Sequence, residues 1–193
     1  MVPNKIVFDL ETQKSFEEVG GRGRNDLLRI SVLGLYSYNE DKYYCFEENE
    51  IYRAGEMFQE ADQIIGFNIK GFDFEVLRPY VNFDVHALPY LDILEEVVKA
   101  LGHRLKLESL AQATLGTGKS ADGMEALRMF RQGRMDELKK YCTQDVKVTK
   151  EIYDYVLKNQ KLLYKDYFET REIQMTFPEP VIRKPVARQT ALF

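Results

Sequence analysis

The sequence feature that most constrains the fold is a short apolar run, Lys5-Ile6-Val7-Phe8, that ends in two acids, Asp9 and Glu11. The run predicts a buried β-strand, and because side chains alternate along a strand, Asp9 and Glu11 share one face with Val7. Their carboxylates would lie roughly 6–7 Å apart along the strand. Carboxylates at the end of a core strand are costly unless a positive charge lies between them, and a divalent cation is the simplest candidate. For this pair alone, a solvated strand end is the alternative.

Composition limits the classes of protein to which the chain can belong. Its 193 residues fit one domain with a sizeable core, and 27 Lys and Arg against 31 Asp and Glu give a net charge of −4. That balance argues against a protein that coats nucleic acid through bulk positive charge, but not against an enzyme that grips one strand end. Neither a signal peptide nor a membrane segment is evident, so we expect a cytoplasmic protein with no membrane partner.

The order of the predicted elements indicates a mixed sheet covered by helices, because strands come first and strand–helix alternation follows. Strands are predicted over 5–8, 27–38, 43–46, 63–67 and 90–94, with a late strand pair within 161–177. Helices are predicted over 50–61, 73–80, 95–101, 107–115, 121–132 and 134–158. From Pro178 onward prolines and charges predict an extended tail, so we expect a domain over 1–177 and a tail over 178–193.

The helix predicted over 134–158 carries an acid on its apolar stripe. The stripe includes Leu138, Cys142, Val148 and Ile152. Its periodicity calls for an apolar residue at the position of Asp145, and Tyr141 lies one turn earlier on the same face. An ionised carboxylate on a core-facing stripe requires a partner. A buried Tyr–Asp hydrogen bond with a purely structural role is the alternative.

Two further acids follow predicted strands. Asp73 shares the inward face of its predicted helix with Val76 and Leu77, although an acid in the first turn of a helix is also favoured by the macrodipole. Asp92 is followed by Glu95, which is typical of a helix capping box and favours a cap over a metal-side acid.

Together, these segments resemble the DEDD superfamily of 3′–5′ exonucleases, whose fold is ribonuclease H-like. Phe8-Asp9-Leu10-Glu11 looks like the first motif of that family, Asn68-x-x-x-Phe72-Asp73 the second, and Tyr141-x-x-x-Asp145 the third. The tyrosine spacing is typical of the tyrosine subclass, since the histidine subclass would carry histidine where this chain has Lys140. The resemblance spans about residues 4–158 and is closest to stand-alone exonucleases related to the family B DNA polymerase proofreading domain. It implies an α/β fold with three antiparallel strands, then parallel strands, and helices on both faces.

The resemblance also implies a two-metal site for Mg²⁺ or Mn²⁺, ions that prefer oxygen ligands. The metal ligands would be Asp9, Glu11, Asp73 and Asp145. Asp9 would contact both ions, Asp73 would reach the second ion through water, and Tyr141 would orient the attacking water. Substrate contacts would come from Thr12, Asn68 and Phe72.

The implied reaction is hydrolysis at the 3′ end of single-stranded DNA with release of nucleoside 5′-monophosphates. An RNA-trimming exonuclease of the same chemistry is one alternative. A catalytically idle adaptor that binds nucleic acid or a clamp is another, although all four acids and the tyrosine are present.

The C-terminal tail ends Gln189-Thr190-Ala191-Leu192-Phe193. It resembles the Gln-x-x-Leu-Phe pentapeptide by which bacterial replication proteins dock on the sliding clamp. Two large apolar side chains, Leu192 and Phe193, would anchor in a groove, while the Pro-containing segment before them provides reach. A tail without a partner is the alternative.

Overall fold

The computed structural model describes residues 2–117, 123–166 and 169–183. Its centre is a five-stranded sheet in the order β3-β2-β1-β4-β5. The strands are β1 (Lys5–Thr12), β2 (Ile30–Ser37), β3 (Lys42–Glu47), β4 (Gln63–Gly66) and β5 (Tyr90–Asp92). β1, β2 and β3 pair antiparallel, whereas β4 and β5 run parallel to β1. The predicted mixed sheet is confirmed.

Helices cover both faces of the sheet. In the described part of the chain they are α1 (Ile51–Glu60), α2 (Asp73–Leu77), α3 (Ile93–Leu101), α4 (Leu107–Thr114), α5 (Gly123–Arg131) and α6 (Met135–Asn159). Phe8 of β1 packs against Phe58 of α1 on one face, with ring centroids 4.9 Å apart. Val7 belongs to the core on the other face, with Val146 of α6. The alternation predicted for β1 therefore exists, and it directs Asp9 and Glu11 to the α6 side.

Several element boundaries differ from those predicted, and two of the differences have an evident cause. The strand predicted from residue 27 begins at Ile30, because Asn25–Leu27 forms a 3-10 turn. The helix predicted over 73–80 ends at Leu77 and continues as the 3-10 turn Arg78–Tyr80, which contains the proline. Proline has no N–H to donate and therefore interrupts the α-helical ladder.

The late strand pair is confirmed as the hairpin of β6 (Lys161–Lys165) and β7 (Thr170–Gln174). Beyond it, the ring of Phe177 stacks on that of Tyr153 at 5.4 Å. The Arg183 N–H then donates to Oδ1 of Asp62 at 2.5 Å, and the other carboxylate oxygen of Asp62 accepts from the Asn4 N–H at 2.7 Å. The chain therefore reaches residue 183 beside the beginnings of β1 and β4.

The segment predicted to bind a clamp, Gln189, Leu192 and Phe193, lies outside the described residues. Across the described ranges, none of the helices has both the length and the apolar character needed to cross a membrane.

Candidate active site

The strand end of β1 supplies the first two carboxylates of the site. Asp9 pairs with Gly34 of β2 and Glu11 with Val32, and the register shifts by a bulge between Glu11 and Thr12. Bulges bend a strand and are frequent next to functional sites because they redirect side chains. The two acids lie side by side on the α6 face, as the sequence predicted.

Helix α6 brings the third carboxylate to the same point. Carboxylate oxygens of Asp9, Glu11 and Asp145 all lie within 4.8 Å of one another, and each of these residues is partly buried. Tyr141, one turn before Asp145, is hydrogen-bonded to it. The buried residues Val146 and Ile152 hold α6 against the sheet. The acid that interrupts the predicted apolar stripe therefore faces the end of β1.

Asp73 borders this group without entering it. It is the first residue of α2, is only 3% exposed, and its Oδ1 atom has no hydrogen-bond partner among the described residues. Its negative charge nevertheless raises the pKa of Asp9 more than any other charge does. The structure thus places three of the four predicted acids within one small space and the fourth beside it.

Lost solvation shifts the protonation of Asp9, Glu11 and Asp73, and repulsion by neighbouring acids adds to the shift at the first two. Burial, followed by the charges of neighbouring carboxylates, raises the pKa of both Asp9 and Glu11 well above the usual range. Burial raises the pKa of Asp73 to about 7. Burial and the charge of Asp145 also raise the pKa of Tyr141, so its phenol keeps its proton at neutral pH.

The donor set fits hard divalent cations. Several carboxylates crowd one space, offer only oxygen atoms, and are partly open to solvent on one side. A bound cation would relieve their repulsion, and Mg²⁺ and Mn²⁺ prefer such ligands. The unpartnered Oδ1 of Asp73 is a further buried acceptor that lacks a donor. The residues present therefore fit the expected metal site.

Asp92 holds the loop that leads to Asp73, a role that the sequence did not predict. Its carboxylate accepts the N–H of Leu94 at 3.0 Å, so the predicted helix cap is confirmed. It also accepts the backbone N–H groups of Asn68 at 2.7 Å and Lys70 at 3.1 Å. Both contacts join the loop after β4 to the end of β5. These two segments are far apart in the sequence and lie together because β4 and β5 are neighbours in the sheet.

The predicted substrate residues lie close in sequence to the acids: Thr12 ends β1, and Asn68 and Phe72 precede Asp73. The Thr12 hydroxyl donates to the Lys14 carbonyl at 3.0 Å, and Oδ1 of Asn68 accepts from Arg104 at 2.8 Å. Phe72 meets Phe16 edge to face, with centroids 5.9 Å apart.

Phe16 and Arg104 were not predicted by sequence reasoning. The one available signal was the position of Phe16 in the loop that follows the first acidic pair. No local pattern singled out Arg104.

A groove of about 560 Å³ adjoins the Asn68 side of the site. Its lining includes the basic side chains of Lys70, Lys99 and Arg104. Lys70 is also paired with Glu95 at 2.8 Å. Lys99 is paired with Glu96 at 2.6 Å, and the lining also includes the acids Asp92 and Glu95, so the groove carries side chains of both charges.

The fold is similar to that of the family B DNA polymerase from the hyperthermophilic archaeon Pyrobaculum calidifontis, with a TM-score of 0.61 and 16% sequence identity. The match covers 81% of this chain and 25% of the polymerase chain, so this chain spans about a quarter of the polymerase's length. No curated protein matches the sequence.

The family comparison covers most of the chain. The RNase_H superfamily model matches residues 6–157, a range that contains every predicted acid and Tyr141. The two matches confirm the ribonuclease H-like resemblance that the motifs indicated. This chain belongs to the RNase_H superfamily.

Proposed function

We propose that the chain is a cytoplasmic, metal-dependent 3′–5′ exonuclease of the tyrosine subclass that acts on single-stranded DNA. The observation that carries the proposal is the convergence of Asp9, Glu11 and Asp145 within 4.8 Å, beside a tyrosine one helical turn away. Superfamily membership supports a nuclease. The Tyr141–Asp145 pair supports the subclass, because a phenol hydrogen-bonded to one of the proposed metal ligands would lie close to a water attacking at the metal.

Two Mg²⁺ or Mn²⁺ ions, when bound, would supply positive charge to the attacking and leaving oxygens of the scissile phosphate. Asp9, Glu11 and Asp145 are the residues that would hold one ion, with Asp9 shared between the two. Asp73 would serve the second ion. Its unpartnered buried oxygen supports that assignment.

The remaining chemistry belongs to Tyr141 and the loops. Because the raised pKa of Tyr141 keeps its phenol protonated, the side chain would position water by hydrogen bonding and would not act as a base. Phe16 and Phe72, which already contact each other, provide aromatic faces for terminal bases. Arg104 and Asn68 would approach the phosphate backbone.

The test is digestion of a single-stranded oligodeoxynucleotide labelled at its 5′ end, with Mg²⁺, Mn²⁺ or EDTA. We expect a ladder of shortened labelled products with either metal and none with EDTA. A control oligonucleotide with phosphorothioate linkages at its 3′ end should resist digestion, because cleavage begins there. Release of a labelled mononucleotide from the 5′ end at the first time point would contradict the proposed direction.

The same assay with an RNA oligonucleotide of matching sequence separates the alternatives. Faster digestion of the RNA would favour an RNA-trimming enzyme. Binding of both strands without cleavage under either metal would favour the adaptor. We expect DNA to be the better substrate, and the support for this choice is the sequence of the C-terminal tail.

We also propose that Gln189, Leu192 and Phe193 dock on a bacterial-type sliding clamp. The described chain reaches Arg183 beside Asn4, and Glu11 lies about 20 Å further along β1 at the usual rise per residue. A tail that leaves from this end could bind a clamp without covering the acids. Pull-down of purified clamp by the full chain, but not by a chain that lacks 189–193, is the expected result. Equal capture by both would remove the proposal.

A further inference from the structure

Gly34 lies where strand β2 and helix α6 approach each other beneath the candidate site. It pairs directly with Asp9 across the β1–β2 ladder. A Cβ atom added to Gly34 would lie 3.0 Å from Sγ of Cys142 and 3.1 Å from Cγ2 of Val146, both on α6. Contacts this short are rare for real side chains, so an alanine at this position would require its neighbours on the helix to give by a few tenths of an ångström.

The neighbours of Gly34 have little room to move. Cys142 and Val146 are both fully buried, and the thiol of Cys142 donates to the Asp9 carbonyl at 3.5 Å. The backbone carbonyl carbon of Cys142 would itself lie 3.5 Å from the added Cβ. That distance is an ordinary van der Waals contact, so the strain falls on the two side-chain atoms, Sγ of Cys142 and Cγ2 of Val146. Because both side chains are fully buried, the few tenths of an ångström that they must give would press on α6. Protein interiors are close-packed, so insertion of one methyl group is felt by the elements around it.

Conformational freedom does not explain the glycine. The backbone of Gly34 is not in the left-handed region, and it lies inside a regular strand where glycine is normally unfavourable. The feature that distinguishes the position is the close approach of α6. Cys142 follows Tyr141 directly and lies three residues before Asp145, so the contact is at the part of the helix that faces the acids.

We propose that Gly34 is a positioning residue that sets the distance of Asp145 on α6 from Asp9 and Glu11 on β1. The inference rests on the proposed function, because it concerns the cation that these three carboxylates would hold. Mg²⁺ demands near-ideal octahedral geometry with ligands at about 2.0–2.1 Å, so a displacement of a few tenths of an ångström matters. A side chain at position 34 would therefore weaken cation binding without touching any ligand.

The test measures binding of Mn²⁺ alone, by titration calorimetry, to the native chain and to Gly34→Ala. We expect roughly tenfold weaker binding by Gly34→Ala, the scale usual for residues that orient metal ligands. Gly55→Ala is the matched control. Gly55 lies on α1, away from the acids, and its added Cβ would lie 3.2 Å from Cγ1 of Val81. The control should change thermal stability while its Mn²⁺ affinity stays within about twofold of native.

A second substitution tests the steric cause. Combining Gly34→Ala with Cys142→Ala removes the sulfur atom that the new methyl group would meet, so Mn²⁺ affinity should return towards the native value. If Gly34→Ala does not fold, Val146→Ile adds a methyl group from the helix side, and a smaller loss of affinity is expected. Native affinity in a folded Gly34→Ala would overturn the inference, and so would native affinity in Val146→Ile where Gly34→Ala does not fold, or no recovery in the double variant.

The outcome is separable from the failure of the proposed function. If the native chain binds Mn²⁺ and Gly34→Ala binds it more weakly, the positioning role stands even when no DNA is cleaved. If the native chain cleaves DNA and Gly34→Ala binds Mn²⁺ equally well, only the positioning role fails. A native chain that does not bind Mn²⁺ would overturn both.

Discussion

Asp92 ends the edge strand β5, whereas Asp9 lies in the second half of the central strand β1, and the surroundings of the two acids are opposite. Asp92 is 3% exposed, and its carboxylate accepts three backbone N–H groups. Asp9 lies among other carboxylates, with Glu11 and Asp145 within 4.8 Å. Burial raises the pKa of both acids, but backbone hydrogen bonds oppose the shift at Asp92, whereas neighbouring negative charges add to it at Asp9.

The difference separates an acid whose charge is satisfied by backbone donors from acids that crowd one another. A buried carboxylate with several N–H donors is satisfied by the protein itself and fixes the segments that donate. Carboxylates that crowd one another destabilise the metal-free protein, and such conflicts with good packing are concentrated at functional sites. Four substitutions or additions test whether the two environments differ in this way.

The largest expected effect is loss of cleavage when the crowded cluster is changed. Asp9→Asn or Asp145→Asn should reduce the rate constant for DNA hydrolysis by about 10³-fold or more, since each removes a charge from the proposed metal site. The rate is measured from single-turnover digestion of a 5′-labelled strand. Asp136→Asn makes the same chemical change at an exposed position of α6 and should leave the rate unaltered. Undiminished metal-dependent cleavage by Asp9→Asn would remove this residue from the site.

The next largest effect is on stability, at Asp92. Asp92→Ala leaves the buried N–H of Leu94 and the part-buried N–H groups of Asn68 and Lys70 without their acceptor, and it should lower the free energy of unfolding by about 3 kcal/mol. In a domain of this size the melting temperature would fall by about 6–12 °C. Asp84→Ala is a suitable comparison, because Asp84 caps an exposed turn by one hydrogen bond to His86. A similar small loss in both variants would show that Asp92 does not anchor the loop.

Cation binding should stabilise the crowded cluster and leave the Asp92 environment unaffected. Mn²⁺ at about one hundred times its dissociation constant should add about 2.7 kcal/mol to the free energy of unfolding of the native chain. Thermal unfolding with and without Mn²⁺, each in the native chain, Asp9→Asn and Asp92→Asn, measures the effect. The increase should be largely lost in Asp9→Asn and retained in Asp92→Asn. An equal increase in all three variants would indicate binding elsewhere on the protein.

The environment of Asp9 was more predictable from the sequence than that of Asp92. Alternation along β1 and the apolar period of α6 are local patterns, so Glu11 and Asp145 could be assigned to inward faces without a structure. The loop contacts of Asp92 join residues 22 and 24 positions apart, and they exist because β5 lies beside β4 in the sheet. The proposed role of Gly34 was even less predictable from the sequence, because it depends on how closely α6, more than 90 residues later, approaches β2.

Local sequence patterns also could not predict where some of the elements begin and end. The chain turns before β2 at Arg29, whose positive φ of 58° is unusual for a residue other than glycine, and nothing in its neighbours announces that conformation. The proline that ends α2 was visible in the sequence, but the 3-10 turn that continues past it depends on contacts of the surrounding loops. The fold class and the inward-facing acids could therefore be predicted from the sequence. The anchoring of the loop by Asp92 and the distance between α6 and β2 required the structure.

The smallest expected effect is a gain in stability from Asp73→Asn in the metal-free protein. Burial raises the pKa of Asp73 to about 7, above its usual value of 3.8, so the folded state binds this proton more tightly than the unfolded state does. The destabilisation from ionised Asp73 is therefore absent below pH 3.8, grows as the pH rises towards 7, and is fully present above 7. Replacing the carboxylate by an amide removes it, and we expect a melting temperature about 2–4 °C higher at pH 8 in EDTA, equal to about 1 kcal/mol. The difference between the melting temperatures of the two proteins should be smaller at pH 5 than at pH 8. A loss of stability at pH 8 would show that Asp73 resembles Asp92, and the contrast between the two acid environments would then end at Asp9, Glu11 and Asp145.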